Sequence, residues 1–261
     1  MVEPCTFGTS GRQLLGLYHA PEGPRPRDEA VLVCGPGPQE YMQSHWALRK
    51  LAAALSRTGF HVFRFDYYGT GDSAGDSVEG RMSAWRSDVA QALEELADVS
   101  GAARLSAVGF RLGATLAATS PVRLERLVLW EPVVDVHRHI EELVASHVRR
   151  FAHCLHVPPL RLDGPSPELL GLPFPRELRQ DIEAVALPRG WACRTRKVDI
   201  VTAETGATGA RLQSEIAATS TDVAVMLHRT EPAGTDDGSE PFLLSSVAQR
   251  KIAEILAEGR Q

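Results

Sequence analysis

Leu105-Ser106-Ala107-Val108-Gly109-Phe110-Arg111-Leu112-Gly113-Ala114 is the stretch that decides the fold. Its first five residues form a short, mostly apolar run, the length of one buried strand and too short for a helix. Beyond the turn, small residues from Leu112 to about Thr119 predict a helix. Gly109 and Gly113 bracket a turn so tight that neighbouring backbone leaves no room for a side chain at either position. The residue at its tip then stands strained and exposed at the carboxyl edge of a sheet. That residue is Arg111.

The same strand–helix unit repeats outward from this turn. Upstream, Ala30-Val31-Leu32-Val33-Cys34 reads as a buried strand ended by Gly35-Pro36-Gly37-Pro38. Trp46, Leu48, Leu51, Ala52 and Leu55 recur at helical spacing, and Gly59 stops that helix. His61-Val62-Phe63-Arg64-Phe65 is a second buried strand, leading through Asp66 into the loop Gly69–Ser73. Trp85, Val89, Leu93 and Leu96 mark a second helix, with Ser83 as the expected N-cap. Residues 6–19 read as two short strands around Thr9-Ser10-Gly11. Downstream, a strand from Leu124 to Trp130 ends in Glu131-Pro132. Alternation of this kind predicts an α/β class: a mostly parallel, doubly wound sheet with helices on both faces.

Residues 135–196 break the rhythm. A helical pattern from Val136 to His156 is followed by proline-rich loop over 158–175 and a helix from Phe174 to Leu187, started by Pro175. This predicts a helical cap insert, leaving 1–134 and 197–261 as the core. The sheet resumes with Val198–Val201 and Val223–Leu227, and a helix near 246–258 closes the chain. The glycine- and acid-rich stretch 231–240 reads as a mobile loop, and there is no internal repeat.

Composition narrows the function classes. A net charge of −5 gives no electrostatic reason to expect a nucleic-acid partner. No apolar run approaches the roughly 20 residues needed to cross a bilayer, so no membrane association is expected. The start of the chain has neither a basic nor an apolar export region. A cytoplasmic location with reduced thiols is therefore the expectation. Cys5, Cys34, Cys154 and Cys193 are far apart, and no cofactor signature is visible. His137, His139, His147, His153 and His156 cluster in the cap without a coherent carboxylate set, so no metal site is expected.

The order of elements, the segment Phe65-Asp66-Tyr67-Tyr68-Gly69-Thr70-Gly71-Asp72-Ser73 and the turn at 109–113 resemble the serine aminopeptidase-like branch of the α/β-hydrolases. Within that branch, Gln39-Glu40-Tyr41-Met42 and Gly109–Ala114 are similar to the exosortase A system-associated hydrolase group. They are also similar to proteins encoded beside natural-product assembly lines. The resemblance spans residues 30–134 and implies the α/β-hydrolase fold. It also implies a nucleophilic serine at the turn, an acid after a later strand and a histidine after the last one. This sequence departs from that pattern. Arginine stands at 111, no histidine follows His228, and an acid at Asp199 or Glu204 is expected to have nothing to orient. A guanidinium stays protonated and is no nucleophile.

Chemistry is therefore expected from other residues. Arg111, at a helix N-terminus, needs an anion: Glu40, Asp66 or Glu131, or a substrate oxyanion. Glu40 or His45 can act as general acid or base, and Glu131 is a second acidic partner for Arg111. Cys34, Gly35, Tyr41, Phe110 and Leu112 are expected to line the pocket. Asp66 and Asp72 organise the glycine turn between them. Two readings follow. One is a tailoring enzyme acting by elimination, cyclisation or water-mediated hydrolysis on a small-molecule or acyl-carrier-bound substrate. The other is a catalytically dead pseudo-hydrolase that binds a ligand or a carrier protein. Either is compatible with a homodimer.

Overall fold

The computed structural model describes residues 1–23, 26–152, 160–185, 194–203, 207–219, 222–231 and 246–258. The chain opens with the antiparallel pair β1 (Val2–Thr9) and β2 (Arg12–His19). Then come β3 (Glu29–Cys34), α1 (Pro38–Arg57), β4 (His61–Phe65), α2 (Met82–Ser100), β5 (Arg104–Phe110), α3 (Leu112–Ala118) and β6 (Arg123–Trp130). Next are α4 (Val136–Phe151), a hairpin of β7 (Glu168–Leu169) and β8 (Leu172–Pro173), and α5 (Arg176–Ala184). The chain closes with β9 (Arg194–Thr202), α6 (Ala207–Thr219), β10 (Ala224–Arg229) and α7 (Ser246–Ala257). One eight-stranded sheet runs β1-β2-β4-β3-β5-β6-β9-β10, parallel from β4 to β10.

Strand alternation sorts the side chains into two cores. Leu32, Phe63 and Ala107 face α2 and α3, whereas Val31, Val62, Val108 and Val128 face α1 and α7. With both faces covered, the interior strands have no polar side, which is why they read as near-continuous apolar runs. β5 lies in the interior of the sheet, so the tip of its turn stands in the middle of the carboxyl edge, as expected.

Four details differ from the expectations. α1 starts at Pro38 rather than near Trp46, so Glu40, Tyr41 and His45 sit on a helix and not in a loop. Proline suits a first helical turn because its missing N–H has no partner there anyway. Trp46, counted as part of the apolar stripe, is 62% exposed. The N-cap of α2 is Arg81 and not Ser83; the first donor, Met82 N, is satisfied from α5 by Asp181. α6 has no counterpart among the expected elements, since its face toward the core rests on Leu212 and Ile216 among small and polar residues. Parts of the expected cap helices, and the loop 232–240, lie outside the described residues. Leu169, Phe174, Leu178 and Ile182 of the proposed cap join the same core as α2 and α3.

Candidate active site

Arg111 joins β5 to α3 at φ 54° and ψ −119°, a conformation that L residues seldom adopt. Its amide donates to Trp130 O (3.0 Å), tying the turn to β6. A Cβ on Gly109 would lie 2.4 Å from Gly113 O, and one on Gly113 would lie 2.2 Å from Gly35 O. Both glycines are therefore required by close backbone approach. The turn has the strained geometry expected from the sequence, with a guanidinium at its tip.

That guanidinium is divided among three groups. Nε donates to Glu40 Oε1 (3.0 Å), and Nη2 donates to Glu142 Oε2 (2.8 Å) and to His139 Nδ1 (2.9 Å). Glu40 comes from the first turn of α1 and is 2% exposed; His139 and Glu142 come from α4, one turn apart on one face. Asp135 caps α4 by accepting from Arg138 N, which sets the helix start just past β6. Arg138 also donates to Glu142 Oε1 (3.1 Å). Burial opposes the charge on Arg111, but Glu40 and Glu142 outweigh it and hold its pKa above the ordinary value.

A guanidinium can only donate, so His139 Nδ1 is the acceptor and Nε2 carries the ring proton. Nε2 faces Glu40 Oε2 at 3.9 Å, and among the described residues neither atom has a hydrogen-bond partner. Burial lowers the His139 pKa, and Arg111 adds to that; Glu40 and Glu142 pull the other way. The imidazole is thus neutral near pH 7. A cavity of about 300 Å³ opens over this cluster, lined by Arg111, His139, Glu142, Arg138, Asp135 and Glu131.

The expected site residues separate into three places. Arg111, Glu40 and the wall of Glu131 stand together. Glu131, at φ 44°, accepts from Thr202 Oγ1 (3.0 Å) and Ala203 N (2.6 Å), bridging β6 to the end of β9. Gly35, Tyr41 and His45 line a different cavity of about 80 Å³ between β2, β4 and α1. There Tyr41 donates to Asp66 Oδ1 (2.9 Å), while Asp66 Oδ2 accepts from Asp72 N, which fits the expected turn-organising role. Tyr41 and His45 follow Glu40 by one and five residues on the helix, and neither turns toward Arg111. Cys34, Phe110 and Leu112 are buried in the core and line neither cavity. Burial raises the Cys34 pKa, so its thiol stays protonated.

Asp199 does have a histidine to hold, against expectation. Its Oδ1 meets His228 Nε2 at 2.7 Å, and its Oδ2 accepts from Arg126 Nε (2.6 Å). Arg126 also donates to Ile255 O of α7, so this group lies on the α7-covered face, fully inside the sheet at Asp199. Arg126 is four residues before Trp130, about 13 Å short of the strand end where Arg111 stands. Glu204, His153 and His156 lie outside the described residues. Among the described residues no group of His, Cys, Asp and Glu is placed to hold a metal. No helix among them is long and apolar enough to cross a membrane.

Beside the smaller cavity, buried His19 accepts from Arg64 Nε (3.3 Å). Burial, then Arg64, the chain amino terminus and Arg49 push its pKa down to about 4. Above about pH 6.5 the ring is neutral folded or unfolded, so it adds nothing to the pH dependence. Below that, the unfolded chain takes up the proton first, and stability is lost as pH falls toward 4. Urea denaturation at pH 7 and 4.5 should show an acid-linked loss smaller by about 2 kcal/mol in His19→Gln than in the wild type. An equal loss in both proteins would remove His19 as the cause.

A family model for serine aminopeptidase, S33, matches residues 27–178, more than half of the chain. No curated protein matches the sequence. Among solved structures, the chain is similar to DcsB in complex with its substrate analogue, with a TM-score of 0.67 and 14% identity over 99% of this chain and 98% of that one. It is similar to an esterase of Pyrococcus furiosus, with a TM-score of 0.65 and 16% identity over 99% and 91% of the two chains. It is also similar to Est1E of Butyrivibrio proteoclasticus bound to ferulic acid, with a TM-score of 0.61 and 12% identity over 97% and 99%. Such identities speak for the fold alone. With the sheet order, the strained turn and the family match in agreement, the chain belongs to the S33 serine aminopeptidase family and has the α/β-hydrolase fold.

Proposed function

We propose that this chain is an acid–base catalyst that acts on a small-molecule or carrier-bound acyl substrate without forming a serine acyl-enzyme. The observation that carries this reading is His139, held between Glu40 and Arg111 on the cavity wall with its tautomer fixed. When Arg111 turns Nη2 from the ring to a substrate carbonyl oxygen, His139 Nδ1 is released as a base. Glu40 then accepts the Nε2 proton's hydrogen bond and keeps the ring oriented; the 3.9 Å gap must close by about 1 Å, as catalytic hydrogen bonds often do on binding. In hydrolysis, Nδ1 takes a proton from water, the oxygen adds to the acyl carbon and Arg111 holds the oxyanion. The proton on Nδ1 then passes to the departing thiolate or alkoxide. Taking the proton from the carbon beside the acyl group instead gives an enolate held by Arg111. The enolate either expels a β-substituent, which leaves with the proton from Nδ1 (elimination), or adds to a second carbonyl of the substrate, whose oxygen takes that proton (cyclisation). The resemblance to proteins encoded beside natural-product assembly lines supports a tailoring role in specialised metabolism.

One observation favours the second reading, a pseudo-hydrolase that only binds. Nε and Nη2 of Arg111 already face protein acceptors, so its charge is met without a ligand. Assays on a panel of N-acetylcysteamine thioesters and p-nitrophenyl esters, read by mass spectrometry, separate the two. The enzyme reading expects turnover that falls at least about a hundredfold in His139→Gln. It also expects no labelling by a fluorophosphonate, and no gain of esterase activity in Arg111→Ser, because the base is positioned by a guanidinium rather than a hydroxyl. Turnover unchanged in His139→Gln, or stoichiometric labelling near position 111, would sink the enzyme reading. Binding of panel members without turnover would favour the binding module.

A further inference from the structure

We propose that the cavity between β2, β4 and α1 is a second binding site, which takes a short aliphatic carboxylate with its head group on Arg64. None of its lining residues is shared with the cavity over Arg111. Arg64 points to the α1 side of β4, as Val62 does, and is only 9% exposed. Among the described residues, its guanidinium makes one hydrogen bond, the donation from Nε to His19 Nε2, a neutral acceptor. Among the described residues, no carboxylate lies within ion-pair distance of its guanidinium. Asp66, on the same wall, has its two oxygens occupied by Tyr41 and by the amide of Asp72.

A dehydrated cation without an anion is unfavourable, and removing either member of a buried pair ordinarily unfolds or weakens a protein. Arg64 is in a milder form of that state: burial lowers its pKa, and the nearby Asp66 carboxylate favours its charge only from beyond ion-pair distance. What completes it is an anion that enters the cavity. The planar fork of Nη1 and Nη2 matches a carboxylate better than a spherical ion. The rest of the wall is mixed: Leu15, Leu17, Leu48 and Phe65 give an apolar patch for the other end of the ligand, while Asp66 and Asp72 on the polar part hold an anion to the Arg64 side. The cavity of about 80 Å³ has room for about five water-sized groups, which limits the ligand to an acid of a few carbons.

Butyrate is the probe, with butyramide and inorganic phosphate as comparisons, and binding is read by saturation-transfer NMR on the full chain. The expected result is saturable butyrate binding with a Kd on the order of 1 mM, the range open to so small a ligand. Butyramide and phosphate should bind at least tenfold more weakly. Arg64→Met should abolish binding, and Arg64→Lys, which keeps the charge and loses the fork, should weaken it several-fold. Glu142→Gln, at the other cavity, should leave it unchanged. Binding that survives Arg64→Met overturns the proposal, as does equal binding of butyramide or phosphate, or no saturation by the wild type. If Arg64→Met does not fold, unchanged affinity in Arg64→Lys overturns it instead.

Discussion

Replacing Arg111 by methionine is expected to lower the stability of the fold by about 3–5 kcal/mol in urea denaturation. The loss comes mainly from what the substitution leaves behind. Glu40 is 2% exposed and its Oε2 already lacks a partner, so without Arg111 the whole carboxylate is buried and unpaired. His139 Nδ1 loses its donor at the same step. Glu142 contributes little to this total, because it is 40% exposed and reaches solvent. Glu142→Gln is accordingly expected to cost no more than about 1 kcal/mol. Arg111→Lys keeps the charge but cannot reach Glu40 and Glu142 together, and should fall between the two. The double variant Arg111→Met, Glu40→Met should recover much of the single loss, since no buried charge remains. A loss under about 1 kcal/mol for Arg111→Met would mean that water reaches the Glu40 carboxylate.

Much of this arrangement is legible in the sequence, and what is not has identifiable causes. The interior strands declare themselves as short apolar runs, and the two glycines around Arg111 declare the turn, because both signals are local. Glu40 as a partner for Arg111 follows from electrostatics, since a cation at a helix N-terminus needs a carboxylate and few loops reach that edge. Glu40 does not meet the guanidinium alone, since Glu142 takes a share of it. His139 and Glu142 escape such reasoning. Their spacing of three places them on one face of α4, but helical periodicity does not say which strand end that face crosses. Tyr41 and His45 stand apart from Arg111 for a related reason. A loop would let them turn toward Arg111 with Glu40, whereas a helix rotates each residue by about 100° from the last. Phe110 and Leu112 flank Arg111 in sequence, yet strand and helix geometry point them into the core.

Gly113→Ala is expected to be the most damaging single-methyl substitution at this site, costing about 4 kcal/mol or more and yielding little soluble protein. The added Cβ would lie 2.2 Å from Gly35 O and 2.5 Å from Cys34 O. Both are backbone atoms at the end of β3, an interior strand paired on both sides, so neither can yield as a flexible side chain would. Relief requires α3 to move away from β3, which opens the core around Leu112, Ala114 and Leu116. Two other glycines separate this crowding from general effects of removing glycine. Gly101, the left-handed C-cap of α2 at φ 62°, has no atom within 4 Å of a built Cβ, so Gly101→Ala should cost only the backbone strain of roughly 1–2 kcal/mol. Gly11 has open space and no positive φ, and Gly11→Ala should be close to neutral. If Gly113→Ala were no worse than Gly101→Ala, α3 would not be packed as closely against β3 as the turn requires. The consequence for the site follows from the same contact. Gly35 leads through Pro36 and Gly37 into α1 and Glu40, so the approach of α3 to β3 also brings the Arg111 side of the ion pair to the Glu40 side. A variant that retains some folded protein should therefore lose the Arg111–Glu40 pairing before it loses the sheet, and Gly113→Ala and Arg111→Met should be less than additive in denaturation.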